Sequence, residues 1–292
     1  MKVCVVVPTF RRPDITILCV KRILDQTIKP FRVIVVGSEE CDRKVAEVHN
    51  IDYIERPNYY YKETTRNERL SEEEERKFEW LAQTSLKDKT LIPYITTDSK
   101  GHKYKLISTI TPVRALGDKV QAGVQHCRNY NPDAILMCGS DDLLSLNWTE
   151  KMLEYIKQYD VIGTDHLYTL SFNPLNLMIN SYKGTLRYGE PAGPGRVISS
   201  RVLNKLNWEL YPPGLSQNLD KNSFAKLNSV NAKFYLYTGD EAKILSVKGP
   251  WEHITTLENL RTISCEQISD PKKWIFENDF SQVFETFSHL MQ

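Results

Sequence analysis

The sequence predicts an α/β fold, with a mostly parallel central sheet flanked by helices, a helix/hairpin insertion and a C-terminal helix. Three observations carry that reading. Short continuous apolar runs rich in β-branched residues, the mark of strands buried on both faces, occur at Val3–Val7, Phe31–Val36 and Ala134–Cys138. Segments with apolar residues at helical spacing stand between them. Strand–helix alternation of this kind implies parallel strands joined by right-handed crossovers. A chain of 292 residues is long enough to bury a sizeable core. A hydrophobic share of 41% with 26% charged residues excludes a disordered chain. Thirty-eight Lys and Arg against 37 Asp and Glu give a net charge of +1, which excludes a generally basic, phosphate-coating protein but not a local basic groove.

The elements follow in order. Pro8-Thr9-Phe10-Arg11-Arg12-Pro13 breaks the first run, and Asp14 is placed to cap a helix carrying Ile17, Val20 and Leu24. Pro30 ends that helix, and Phe31–Val36 is the second buried strand. Gly37-Ser38 leads to a short helix near Asp42–His49, then to a strand at Asp52–Glu55 closed by Pro57. Residues 58–111 depart from the pattern. Ser71 and Glu74 have capping-box spacing, predicting a helix over 71–86 with the Glu72–Glu75 run as a solvated face. Leu91–Ile95 and Tyr104–Ser108 flank Ser99-Lys100-Gly101 and predict a hairpin. Regularity returns with Val113, Leu116, Val120, Val124 and Cys127 on one helical face. Asn131-Pro132 stops that helix, and the strand Ala134–Cys138 runs into Gly139-Ser140-Asp141-Asp142. A helix over 148–158, a strand at Val161–Gly163 and strands at Leu167–Phe172 and Leu177–Tyr182 come next. A loop at Gly189–Arg196 precedes a helix over 199–206. Strands are expected at Phe234–Thr238 and Ile244–Val247, and Phe280, Val283, Phe287 and Leu290 form the stripe of the C-terminal helix.

The organisation expected is one compact unit with two functional halves. Residues 1–150, including the 58–111 insertion, form a ligand-binding half, residues 151–265 the second half, and residues 266–292 pack on the same domain. The apolar run at Val3–Pro8 is too short for a signal sequence, and no segment approaches about 20 uninterrupted apolar residues, so a soluble cytoplasmic protein is expected. The six cysteines form no C-x-x-C pair and read as reduced, packed thiols.

In an open parallel sheet, ligands bind outside the carboxyl ends of the strands. The Pro8–Pro13 loop, Gly37-Ser38 and Gly139–Asp142 all fall there. No G-x-G-x-x-G and no G-x-x-x-x-G-K-[ST] occurs, which argues against a dinucleotide enzyme and a P-loop. Asp141 and Asp142 repel each other unless neutralised. A hard divalent cation such as Mg²⁺ or Mn²⁺ does that and holds a diphosphate, while an ordinary Asp-rich turn capping the next helix is the alternative. Arg11, Arg12 and Lys119 are either phosphate-binding cations at the same strand ends or surface charges.

Several stretches together resemble a family. VVVPTFRRPD (Val5–Asp14), Leu116-Gly117-Asp118-Lys119 with Gly123, and AILMCGSDD (Ala134–Asp142) are similar to the donor half of nucleotide-sugar glycosyltransferases of the GT-A fold, the large inverting family especially. Gly193–Ser199 resembles that family's glycine-arginine loop, Gly214–Phe224 with Leu219-Asp220 its catalytic-base segment, and Val247-Lys248-Gly249 through His253 its closing segment. The resemblance covers about 1–57 and 112–260. It implies a metal-dependent enzyme that moves a sugar from a nucleoside-diphosphate sugar, a UDP-sugar foremost, to an acceptor hydroxyl with inversion. Pro8, Thr9, Arg11, Arg12, Ser38, Lys119, Asp141 and Asp142 would bind the donor. Asp141 and His253 would hold Mn²⁺ or Mg²⁺. Asp220 would be the general base, with Arg196 and Trp251 on the acceptor side. Two departures stand out: Gly139 occupies the first position of the family's acid-x-acid motif, and Ser38 stands where an aspartate commonly reads the nucleobase. Three alternatives accompany this reading. One is a nucleotidyltransferase, although Pro8–Pro13 lacks glycine. Another is a non-catalytic binder of the same ligand. The third is transfer to a hydroxylated DNA base, to which Tyr59–Tyr61 and Lys100, Lys103 and Lys105 would lend stacking and charge.

Overall fold

The computed structural model describes residues 1–57, 59–71, 95–100, 102–114, 116–172, 175–183, 185, 187–215, 218–249 and 264–291. The chain divides into two compact units. Met1–Asn58 with Ala115–Gln292 forms the larger, and Tyr59–Arg114 the smaller.

The larger unit is a mixed α/β body with a mostly parallel central sheet flanked by helices. Its elements begin with β1 (Val3–Pro8), α1 (Pro13–Leu24), β2 (Arg32–Gly37), α2 (Glu40–His49) and β3 (Asp52–Glu55). After the smaller unit come α3 (Leu116–Arg128), β7 (Ala134–Met137), β8 (Asp142–Leu144), α4 (Trp148–Leu153), β9 (Val161–Gly163), β10 (His166–Phe172) and β11 (Leu175–Ser181). The remainder is β12 (Val197–Ser199), α5 (Ser200–Lys205), α6 (Leu219–Ser229), β13 (Phe234–Leu236), β14 (Ile244–Lys248), β15 (Ser264–Gln267), α7 (Pro271–Glu277) and α8 (Gln282–Phe287).

The seven-stranded sheet runs β13-β9-β12-β7-β1-β2-β3. β1 lies parallel between β2 and β7, and β3 is parallel to β2; β12 is antiparallel to both its neighbours. Because side chains alternate across a strand, each apolar run feeds two cores. Val3, Val5, Val7, Val33, Val35 and Leu136 pack with Ile15, Leu18 and Cys19 of α1 on one face. Cys4, Val6, Ile34, Val36, Ile135 and Met137 pack with Val120, Val124 and Cys127 of α3 on the other. This explains why these strands read as unbroken apolar runs rather than alternating ones. A second sheet runs β15-β11-β10-β14-β8, with β10 and β14 its one parallel pair.

Some expectations shift. Asp142 is not a loop residue but the first residue of β8, opposite Ser246 of β14. The helix over 148–158 ends at Leu153, beyond which the backbone continues as turns. The C-terminal helix is broken into α7, α8 and a 3₁₀ turn at Ser288–Met291, with Asp279 at φ 60° at the break. Its stripe nevertheless holds, since Phe280, Val283 and Phe287 are buried in the core and Leu290 packs against it. β15 was not expected from the sequence.

The smaller unit is a three-stranded antiparallel sheet, β4 (Tyr59–Arg69), β6 (Lys103–Arg114) and β5 (Ile95–Thr97), in the order β4-β6-β5. β4 and β6 pair over their whole length from Tyr59 opposite Arg114 to Arg69 opposite Tyr104. The β5–β6 hairpin is the predicted one, shifted so that β5 begins where the first arm was expected to end. Asp98 organises its turn by accepting from the backbone N–H of Lys100 and of His102. The helix predicted over 71–86 lies outside the described residues.

Candidate active site

A cleft of about 550 Å³ opens in the larger unit at the carboxyl ends of β1 and β7, faced by β10, β11 and β14 of the second sheet. Its lining includes Pro8 and Arg12, Asp141 and Asp142, and Asp220.

Arg12 immediately precedes α1, in the segment where Pro8 and Pro13 bracket the break after β1. Its Nη1 lies 3.1 Å from Oδ2 of Asp141. Lys248, the last residue of β14, donates from Nζ to the same Oδ2 at 2.7 Å. Both cations are largely buried, with side chains 13% and 14% exposed. Asp142 is buried, and its carboxyl is pushed up to about 7, by burial first and then by the Asp141 charge, against the pull of Lys248, Ser246 and Arg12. The position of Asp142 also explains Gly139. A Cβ at Gly139 would stand 2.2 Å from Asp142 Oδ2, so an acid there is incompatible with this packing.

Of the residues that the resemblance assigns to the donor, Thr9, Arg11, Ser38 and Lys119 are not in the described lining of this cleft. Thr9 is buried, with its hydroxyl 2.9 Å from that of Thr16 and 3.4 Å from Oδ1 of Asp42. Lys119 is also buried; its Nζ donates to the Thr9 carbonyl at 2.8 Å and so anchors the Pro8–Pro13 loop from below. Burial pushes its ammonium down to about 8, against Asp42 and Glu39. Arg11, at φ 49°, turns away to Glu39 at 3.1 Å. The Ser38 hydroxyl donates to the Arg56 carbonyl, and Ser38 borders a second, polar cavity of about 390 Å³ with Arg43 and Tyr53.

Asp220 sits in the first turn of α6, with Oδ2 3.5 Å from Arg187 and Oδ1 3.9 Å from Arg196. Gly193 lets it fit, because a Cβ there would lie 2.1 Å from Asp220 Oδ1. Arg196 is 1% exposed and spends its guanidinium on the Pro191 carbonyl at 2.5 Å and the Ser223 hydroxyl at 2.6 Å, tying the glycine loop to α6. Trp251 and His253 lie outside the described residues.

Three cleft residues carry chemistry that the sequence reading did not assign: Lys248, Arg187 and Asp165. Arg187 forks onto Glu190 at 2.9 and 2.5 Å and stacks over Tyr182 at 4.0 Å. The available signal for Lys248 was period two: Ser246 and Lys248 share one face of an otherwise apolar strand.

A resident divalent ion, as the resemblance implies, needs hard oxygen ligands without a competing cation. Asp141 Oδ2 already serves two. Charges about 4 Å apart interact by roughly 4 kcal/mol per unit-charge product at an effective dielectric constant of 20, so a dication beside Lys248 and Arg12 meets strong repulsion. No group of three or more His, Cys, Asp or Glu able to hold a metal occurs among the described residues. The described residues therefore do not fit a resident metal ion on Asp141.

No family model matches the chain, and no curated protein does. Solved structures do. S. aureus TarS 1–349 superposes with a TM-score of 0.50 at 13% identity, covering 85% of this chain and 60% of that one. The same protein in complex with UDP-GlcNAc gives a TM-score of 0.51 at 15% identity, covering 87% and 60%. The mannosyltransferase PcManGT from Pyrobaculum calidifontis, in complex with GDP-Man and Mn²⁺, gives 0.43 at 11% identity over 85% and 56%, too low to establish a shared fold. Among the described residues no helix is long and apolar enough to cross a membrane. This chain spans about 60% of the length of the TarS structures, and what it shares with them is the fold.

Proposed function

We propose that the chain is an inverting glycosyltransferase of GT-A type that transfers a sugar from a nucleoside-diphosphate sugar, with UDP-sugars the foremost donors, to an acceptor hydroxyl. One observation carries the reading. A single cleft is lined by two cations, Arg12 after β1 and Lys248 at the end of β14, and by Asp220, a carboxylate that two arginines approach. Cations and a carboxylate in one cleft are the groups that in-line displacement at an anomeric carbon requires. The diphosphate leaves toward cations on one side, and a base takes the acceptor proton on the other. The fold shared with TarS, solved in complex with UDP-GlcNAc, supports it.

In this mechanism Arg12 binds diphosphate oxygens, with the Pro8–Pro13 loop held in shape by Lys119 and Thr9. Asp220 accepts the proton of the acceptor hydroxyl as that oxygen attacks from the face opposite the leaving group. Arg187 and Arg196 orient the carboxylate, and Gly193 leaves room for it. The sequence resemblance implies Mn²⁺ or Mg²⁺ on Asp141 with His253, but the described residues do not fit such an ion, and no step is routed through one.

A thermal-shift screen of UDP-, GDP-, CDP- and dTDP-sugars, each with Mn²⁺ and with EDTA, tests the donor class, because a ligand that binds only the folded state raises Tm with its concentration. A concentration-dependent rise with one nucleotide series is expected. No rise with any of them ends the reading.

A further inference from the structure

We propose that Lys248 is the cation of the donor site, its ammonium gripping the donor diphosphate and neutralising the leaving group where a metal-dependent enzyme would use a divalent ion. The inference rests on the donor reading above, adds a residue to it and removes its need for a metal ion.

Two cations share one carboxylate oxygen here: Lys248 Nζ at 2.7 Å and Arg12 Nη1 at 3.1 Å from Asp141 Oδ2. Asp141 is the residue the sequence resemblance assigns to the metal, so a protein ammonium stands on the metal's expected ligand. An ion pair that served only to fasten β14 to the loop after β7 would need one cation. The second gives the trio of Arg12, Lys248 and Asp141 an excess cation beside the buried Asp142, and a diphosphate offers that cation more negative charge than one carboxylate. Arg12 is not fully spent on Asp141, because its Nε has no hydrogen-bond partner among the described residues. Both cations line the cleft. Lys248 reaches this place by construction. β14 pairs with β8, the strand that begins at Asp142, and the Val247 N–H donates to the Asp141 carbonyl at 2.8 Å. The backbone register thus sets the ammonium beside the aspartate, and a lysine is suited to the task as a compact point charge with three donors, enough to keep one on Asp141 and turn others to phosphate oxygens.

The test is calorimetric titration of the full chain with UDP, and with GDP, CDP and dTDP, in EDTA and in Mn²⁺. The wild type is expected to bind its nucleotide with the same Kd in both buffers. Lys248→Met should weaken binding in EDTA by about tenfold or more, the worth of one charge-assisted hydrogen bond, and Mn²⁺ should restore part of the loss. Lys248→Arg should keep metal-free binding. Wild-type affinity that rises about tenfold or more on adding Mn²⁺, a change of about 1.4 kcal/mol, overturns the inference while leaving the donor reading intact. So does a folded Lys248→Met variant with unchanged Kd in EDTA. The wild-type comparison decides even if Lys248→Met does not fold. Failure of all four nucleotides to bind in either buffer removes the donor reading itself.

Discussion

Asp220 and Asp142 are both acids of one cleft, yet their surroundings assign them opposite tasks. Asp220 is about a third exposed, at the start of a helix and between two guanidinium groups, and the proposed mechanism makes it the general base. Asp220→Asn is expected to leave donor affinity unchanged and to lower the transfer rate by about 10²–10⁴-fold, as a lost general base does; calorimetry and a turnover assay separate the two effects. Asp142 is buried, and its carboxyl titrates near 7 instead of the ordinary 3.8. A folded-state pKa above the unfolded one means the folded protein holds the proton more tightly. The resulting stability is complete below about pH 4 and is lost as pH rises through about 7. Chemical denaturation of wild type and Asp142→Asn from pH 4 to pH 8 should show the wild type losing stability relative to the variant by a few kcal/mol, each pKa unit being worth about 1.4 kcal/mol. Parallel curves would contradict the shift. The aspartates were readable in the sequence because strand ends are where chemistry collects. Lys248 as a partner was not, because it meets Asp141 across 107 residues of chain, and only the pairing of β14 with β8 brings them together.

Among the elements, the legible ones were those whose periodicity is local. β1, β2, β7, α1 and α3 appear within a few residues of their expected bounds because double-sided burial and helical stripes are written in consecutive residues. β8 and β15 are short, and tertiary pairing rather than composition makes them strands. The same local logic gives α3 a weak point. Gly123 lets the helix lie close on the sheet, and a Cβ there would stand 2.4 Å from Val6 Cγ1 and 3.1 Å from Val36 Cγ2. Gly123→Ala must lift α3 or force those valines off their rotamers, and should destabilise the fold by about 1–3 kcal/mol. The change is read as a lower denaturation midpoint at unchanged m-value. On the opposite face, α1 is fastened by a residue the periodicity hid. Arg22 is buried, donates from Nε to the Leu144 carbonyl at 3.1 Å, pairs with Asp279 at 3.0 Å and lies 5.1 Å over the Phe280 ring. One side chain thereby joins α1, the end of β8 and the C-terminal segment.

At the scale of the whole molecule, the chain is a larger α/β unit interrupted by a smaller antiparallel one. Every described residue that lines the cleft belongs to the larger unit. Replacing 59–114 by a short glycine-containing turn is therefore expected to leave a folded protein with an intact cleft, measured as a cooperative melt and unchanged nucleotide affinity. Loss of cooperative melting would mean that the larger unit depends on the smaller one to fold. The reason to expect success is the register of β4 and β6, whose first pair sets Tyr59 opposite Arg114. A cassette whose entry and exit stand side by side presents its host with the same small gap however many residues it contains, so the entropy of bridging that gap does not grow with the cassette. Such a position invites evolutionary exchange: descendants can enlarge, trim or trade the segment while the ancestral chemistry continues undisturbed.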